Sequence, residues 1–242
     1  MTTRRPGPLV LVGGDEFRPG NEHADDLLVA AADALDGHRP AFVIATAAAR
    51  QQPDQAVETA RTWFAERGLA VEELRLRKRR EANAPATADL ARTGRFFYLC
   101  GGDPGLTVQI LERTIAWESI VAAWRDGAVL AGSSAGAMAL GEWTLIRARR
   151  PGDARREPRP ALAVVPGIAV APHWSTFGRR WLPSAREALP PDATIVGIDE
   201  RTAALWTDGQ WRVRGPGKVV VVADDREASF SNGETIDGVP AP

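Results

Sequence analysis

The chain has 242 residues, with 30 Lys and Arg against 31 Asp and Glu, three histidines and a single cysteine. This length fits one large α/β domain or two small ones, and a formal net charge of −1 argues against a dedicated nucleic-acid or polyanion binder. One cysteine excludes an internal disulfide and a thiolate zinc site. The histidines, His23, His38 and His173, show no metal-ligand spacing, so neither a metal nor another cofactor is expected.

No stretch reaches the roughly 18 apolar residues of a membrane span. The apolar run Leu9–Val12 behind Met1–Gly7 is too short for a signal-peptide core. The expectation is a cytoplasmic protein without a membrane partner. No repeat recurs at a period of about 20 to 50 residues.

In chain order, Leu9–Val12 predicts a strand that ends at Gly13-Gly14. Residues 22–36 place Leu27, Leu28, Ala31 and Leu35 at helical spacing before Gly37. Ala41–Thr46 predicts a strand, Asp54–Arg67 a helix stopped by Gly68, and Val71–Leu76 a third strand leading into the basic run Arg77–Arg80. Arg95–Cys100 predicts a fourth strand, running into Gly101-Gly102. Residues 105–125 predict one broken or two consecutive helices, and Ala128–Gly132 a fifth strand. A helix is expected from about Ala135 to Trp143. The segment Arg147–Pro160 holds six arginines, three prolines and one glycine without periodicity, and reads as a mobile surface loop. Beyond it come strands at Leu162–Val165, Ile168–Val170, Thr194–Ile198, Ala203–Trp206, Trp211–Arg214 and Lys218–Val222, with a helix from about Thr176 to Ala188. Asp208-Gly209 is a hairpin signal, and the polar tail from Asp224 is expected to end in a short strand or coil.

Strands alternating with helices of this length specify a three-layer α/β/α architecture around a mostly parallel open sheet, with extra C-terminal strands, in a single domain over 1–242. Glycine pairs at strand ends place a ligand site at the carboxyl edge of that sheet.

Gly13-Gly14-Asp15-Glu16-Phe17 spells the signature that names diguanylate cyclases. There it lies deep inside a domain, with much of the nucleotide site upstream; here only 12 residues precede it, so it reads as a Gly-rich turn after the first strand. Gly132-Ser133-Ser134-Ala135-Gly136 is more specific. It matches G-x-S-x-G between a strand and a helix, where small flanking residues let a serine occupy a strained, sharp turn. Such a turn lifts Ser134 Oγ above the sheet and aims the Ala135 amide at the same space. A serine hydroxyl needs a base. His173, just past Ile168–Val170, is the best placed of the three histidines. A carboxylate must then orient the imidazole; Asp199 and Glu200 both end the next strand, and the residues alone do not separate them.

These pieces together resemble peptidase family S51, which contains dipeptidase E and cyanophycinase on a fold similar to class I glutamine amidotransferases. The matching segments are Leu11-Val12-Gly13-Gly14, Leu99-Cys100-Gly101-Gly102-Asp103, Ala131–Ala137, Pro172-His173-Trp174 and Gly197–Ala203, in order over roughly residues 8 to 206. The resemblance implies Ser134 as nucleophile, His173 as base, Glu200 as orienting acid and the amides of Gly102 and Ala135 as oxyanion hole. It further implies Asp103, Arg179 and Arg180 as substrate-binding residues and a small acidic peptide or isopeptide as substrate, with the arginines of residues 147–160 the alternative source of a cation facing the substrate carboxylate. The family's Ser–His–acid order differs from the Ser–acid–His order of α/β-hydrolases. Dimers are common in the resembling family, so the resemblance admits a homodimer; the eight tryptophans supply apolar surface for an interface, although most are expected in the core.

The sequence departs from cyanophycinases in carrying Pro104 where they have Gln, and in keeping fewer arginines in Ser175–Arg180. A degraded, ligand-binding relative is therefore the alternative to an enzyme. Cys100 reads as a buried strand residue. A nucleic-acid interface on Arg75–Arg80 and residues 147–160 lacks interleaved aromatics and is not expected.

Overall fold

The computed structural model describes residues 5–147, 155–224 and 226–242. A seven-stranded sheet has the order β11-β10-β1-β5-β4-β2-β3. Its parallel part comprises β1 (Leu9–Val12), β2 (Ala41–Ile44), β3 (Val71–Glu73), β4 (Phe96–Leu99) and β5 (Val129–Ser133), and β10 (Ala203–Thr207) and β11 (Gln210–Arg214) extend it antiparallel beyond β1. A second, six-stranded sheet has the order β13-β12-β9-β8-β6-β7. In it β6 (Gly141–Arg147), β8 (Val165–Ala171) and β9 (Thr194–Ile198) run parallel, flanked by β7 (Arg156–Pro160), β12 (Lys218–Ala223) and β13 (Arg226–Ser231) running antiparallel. The expected α/β class with a largely parallel sheet is what forms, with the later strands divided between two sheets.

The central strands are apolar on both faces because both faces are covered. In β1, Leu9 and Leu11 enter one core while Val10 and Val12 enter another, the period-2 alternation of a strand. One core lies under α1 (Glu22–Asp36) and α2 (Pro53–Ala65), with Leu28, Val57 and Phe64 against Val43 and Tyr98. The other joins α5 (Pro104–Leu111), α6 (Ile115–Arg125) and α7 (Ala135–Leu140) to the second sheet, through Leu99, Leu130, Leu145, Val170 and Ile198. Two smaller helices, α3 (Arg79–Ala82) and α4 (Pro85–Thr93), bury Ala82 and Ala91 in the same core.

Four expectations are corrected in detail, and the choice between one broken and two consecutive helices over 105–125 is resolved. The buried face of α1 is Ala24, Asp25, Leu28, Val29 and Ala32, leaving Leu27 44% exposed, so the amphipathic stripe lies slightly rotated from the leucine pattern. The 105–125 stretch is two helices, separated at Glu112–Thr114 by the N-capping hydroxyl of Thr114. The helix after Ser134 stops at Leu140. A side chain at Gly141 would come within 2.9 Å of the Ile168 carbonyl, and the run Trp143–Ile146 joins the second sheet instead. The Arg147–Pro160 segment is not a loop throughout: Arg156–Pro160 is a strand paired with β6, its prolines tolerated because β7 is an edge. Residues 148–154 of that expectation lie outside the described residues. Downstream, a 3₁₀ turn at Gly178–Trp181 precedes α8 (Leu182–Ala188), where one helix was expected.

Between α1 and α2 a carboxyl is buried with no cation bound to it among the described residues. Asp25 is 1% exposed and accepts a 2.8 Å hydrogen bond from the Trp63 indole, while its other oxygen has no partner among the described residues. Burial pushes its pKa from 3.8 up to about 7. The folded chain therefore holds a proton that the unfolded chain releases, and stability contributed below pH 4 is lost as pH rises toward 7. Asp25→Asn should flatten this part of the pH dependence, and its urea midpoint relative to wild type should improve between pH 4 and pH 8 by the equivalent of a few kcal/mol, at about 1.4 kcal/mol per pKa unit.

Candidate active site

Strand β5 delivers the chain to Ser134 at φ 48° and ψ −110°, a left-handed conformation that a non-glycine residue adopts only under constraint. Helix α7 starts at the next residue, so the first amides of that helix face the same space as Ser134 Oγ. The small neighbours are required sterically. A Cβ on Gly136 would lie 2.3 Å from the Leu99 carbonyl oxygen, and one on Gly132 would lie 2.6 Å from the carbonyl carbon of Gly136.

His173 arrives from the other sheet. His173 follows β8 with its Nε2 3.1 Å from Ser134 Oγ and its Nδ1 3.1 Å from Glu200 Oε1. The Nδ1 proton facing the carboxylate leaves Nε2 as the acceptor for the serine proton. Phe177 stacks on the imidazole at 4.7 Å and 20°, which limits its rotation. Of the two acids left open by the residues alone, Glu200 meets His173, whereas the Asp199 carboxylate accepts the Lys218 amide at 2.8 Å. Burial pushes the Glu200 carboxyl up, but hydrogen bonds from the Thr176 hydroxyl, its own backbone, His173 and Ser175 outweigh it, holding the group below the usual carboxylate range. It is therefore an anion at neutral pH.

The turn after β1 ties these pieces together. The Ser134 amide donates to the Val12 carbonyl at 2.9 Å, the His173 amide to Gly13 at 2.8 Å, and the Arg201 amide to Gly14 at 2.9 Å. Gly14 has φ 111°, and a Cβ there would lie 2.3 Å from His173 Cε1, so the imidazole occupies the space that only glycine leaves. Two residues on, the Glu16 carboxylate accepts the Gly101 amide at 2.7 Å and the Ser133 hydroxyl at 2.9 Å. Glu16 thus fastens the Gly101-Gly102 loop to the serine turn. The sequence signal for it was an acidic pair, Asp15-Glu16, following a glycine pair at a strand end, in the segment read only as a turn.

The Gly101-Gly102 loop is anchored on its other side by the Asp103 amide, which donates to the Ala47 carbonyl at 2.9 Å. Gly102 lines the same cleft of about 570 Å³ as Ser134 and His173. The Asp103 carboxylate caps α5 through the Leu106 amide at 3.0 Å. Cys100 is buried, and burial pushes its thiol well up, leaving it a protonated core group. Arg179 and Arg180 line a different cleft, together with Ser175, Thr176, Asp199 and Glu227, and Arg179 pairs with Glu227 at 2.9 Å. The structure thus brings Ser134, His173, Glu200, Gly102 and Ala135 together, and leaves Arg179 and Arg180 outside the cleft lined by Ser134. Among the described residues no group of three or more His, Cys, Asp or Glu is arranged to hold a metal ion, and no helix is long and apolar enough to cross a membrane.

The family model of peptidase family S51 matches residues 9–214, and the chain belongs to that family. It is 30% identical over 163 residues to a cyanophycinase of Synechococcus elongatus, covering 64% of this chain and 50% of that protein. It is 29% identical over 167 residues to a cyanophycinase of Trichormus variabilis, covering 67% and 56%. The chain thus spans about half the length of the curated relatives it matches. Among solved structures, a peptidase from an acI-B1 actinobacterium superposes with a TM-score of 0.84 at 27% identity, over 97% of this chain and 98% of that one. A putative peptidase E protein from Listeria monocytogenes shares the fold, with a TM-score of 0.62 at 20% identity, over 88% and 100%.

Removing the Glu16 tether should be felt at the serine. Glu16→Ala leaves two donors unpaired, so it should lower stability by about 1–3 kcal/mol and slow fluorophosphonate labelling of Ser134 by about tenfold, while Glu16→Gln, which keeps one acceptor, falls between. Labelling kinetics with a parallel thermal melt check this, and unchanged labelling in a folded Glu16→Ala protein would refute it.

Proposed function

We propose that this chain is a serine peptidase that hydrolyses small acidic peptides or isopeptides through an acyl-enzyme. The observation that carries this is the continuous hydrogen-bond chain Ser134–His173–Glu200, with 3.1 Å at each link, on a strained serine beside the Gly102 loop. Ser134 Oγ attacks the carbonyl carbon as its proton passes to His173 Nε2. The tetrahedral oxyanion then takes hydrogen bonds from the Gly102 and Ala135 amides, donors fixed in place before the charge develops. Collapse breaks the C–N bond, His173 returns the proton to the leaving amine, and an ester remains on Ser134. Water, deprotonated by His173, attacks that ester through a second oxyanion and releases the acid and the serine. Glu200 stays ionised throughout and stabilises the imidazolium.

Membership of a peptidase family and the similarity to cyanophycinases support the reaction class. Arginines beside the Gly102 loop support an acidic substrate.

Ser134→Ala should abolish hydrolysis across a panel of Asp-containing dipeptides and isopeptides with the fold intact by circular dichroism. Persistent turnover in that variant would sink the assignment. Glu200→Gln should lower kcat by about a hundred- to ten-thousand-fold with little change in KM, because the carboxylate acts on the imidazolium formed in the transition state. A wild-type chain that neither turns over these substrates nor labels with a fluorophosphonate would point to a ligand-binding relative.

A further inference from the structure

We propose that the cleft on the far side of Gly102 from His173, walled by Arg50, Arg147, Arg156 and Arg159, is the subsite that holds an acidic substrate segment bearing two or more carboxylates. This rests on the hydrolase reading above and locates its specificity on a face other than the Arg179–Arg180 segment. The cleft has a volume of about 1170 Å³ and meets the Ser134 cleft at Gly102 and Gln51, so a chain lying in it leads directly to the oxyanion amides. Its size exceeds the roughly 300–1000 Å³ of ordinary small-ligand pockets, which fits a substrate longer than a dipeptide.

Three of the four arginines in this cleft lack a carboxylate partner among the described residues. Arg147 and Arg156 are direct register partners across β6 and β7, an arrangement of like charges that costs stability in a sheet. Among the described residues Arg50, Arg147 and Arg156 have no carboxylate partner; Arg159 has one, Glu157, at 2.9 Å. The carboxylate that also lines the cleft, Asp103, is engaged by the Leu106 amide.

Arg156 is held in place rather than left to wave in solvent. Its guanidinium stacks 4.0 Å over the Trp181 ring, and its Nε is buried without an acceptor. Burial pushes this guanidinium down from its ordinary range, and the charge of Arg147 adds to the effect. On the neighbouring strand Thr144, 1% exposed, lines the same cleft with a hydroxyl that has no hydrogen-bond partner among the described residues. A carboxylate entering the cleft relieves the arginine–arginine repulsion and supplies acceptors for these donors. On the opposite side of the site, Arg179 is already neutralised by Glu227.

The test uses the full chain carrying Ser134→Ala, so that binding is read without turnover, and two capped tetrapeptides, tetra-aspartate and tetra-asparagine, measured by calorimetry. Tetra-aspartate should bind at least about tenfold tighter, the yield of one charge-assisted hydrogen bond or more, and the preference should shrink as salt rises. Arg147→Gln, at an exposed strand end, and Arg156→Gln should each reduce the preference by about tenfold, with binding of tetra-asparagine unchanged. Arg156→Lys, which keeps the charge and much of the stem over Trp181, should retain most of it. Arg179→Gln and Arg180→Gln should leave it intact. Failure to distinguish the two peptides, whether both bind or neither does, overturns the proposal. So does a preference that survives Arg147→Gln and Arg156→Gln but disappears in Arg179→Gln. A retained preference alongside a wild-type chain without turnover would retire the hydrolase reading and leave the subsite standing.

Discussion

The carbonyl oxygens of Val12, Gly13 and Gly14 point at three different parts of the chain, accepting the amides of Ser134, His173 and Arg201 within 2.8–2.9 Å. Nothing in the local sequence of Ser134 or His173 favours a φ near +50°, and each would relax to a commoner conformation if free. The end of β1 holds them there. Backbone carbonyls suit this task better than side chains, because they have no rotamers to lose and are fixed by the sheet they belong to. Glu16 extends the same clamp to the Gly101 amide and the Ser133 hydroxyl, so a single short turn positions Ser134, His173, Glu200 and the Gly101-Gly102 loop.

This clamp is needed because the site straddles two sheets. Ser134 leaves the seven-stranded sheet, while His173 and Glu200 leave the six-stranded one. A hydrogen bond between side chains on separate sheets tolerates little relative slip, since its energy falls steeply with distance and angle. The shared apolar core restrains such slip in bulk, through Leu130 and Leu140 on one side and Val170 and Ile198 on the other. The β1 turn restrains it at the point where tenths of an ångström matter.

The sequence made the central parallel strands legible because a buried parallel strand is a short apolar run, and β1 in the first sheet and β9 in the second were placed to the residue. The serine turn was legible because its steric demands leave few residue choices at Gly132 and Gly136. Glu200 was separated from Asp199 only by resemblance, since both end the same strand and only the fold decides which carboxylate turns toward the imidazole. Glu16 was missed for a related reason: its partners lie 85 and 117 residues away, and nothing local distinguishes a tethering carboxylate from a solvated one. β7 was missed because Arg-Glu-Pro-Arg-Pro has no strand pattern of its own; it is a strand because β6 offers it a register.

That last strand is also the outer border of the six-stranded sheet. A border strand normally exposes a row of unpaired amides that can recruit another chain. Here Pro158 and Pro160 carry no N–H, and Arg156 and Arg159 bring positive charge to the same short strand. The border is thus unattractive to a second copy of itself while remaining open to small anions. A single stretch of unpromising composition lets the sheet end without inviting aggregation, and colloidal behaviour becomes one of the pressures that fix which residues stand at the rim of the site.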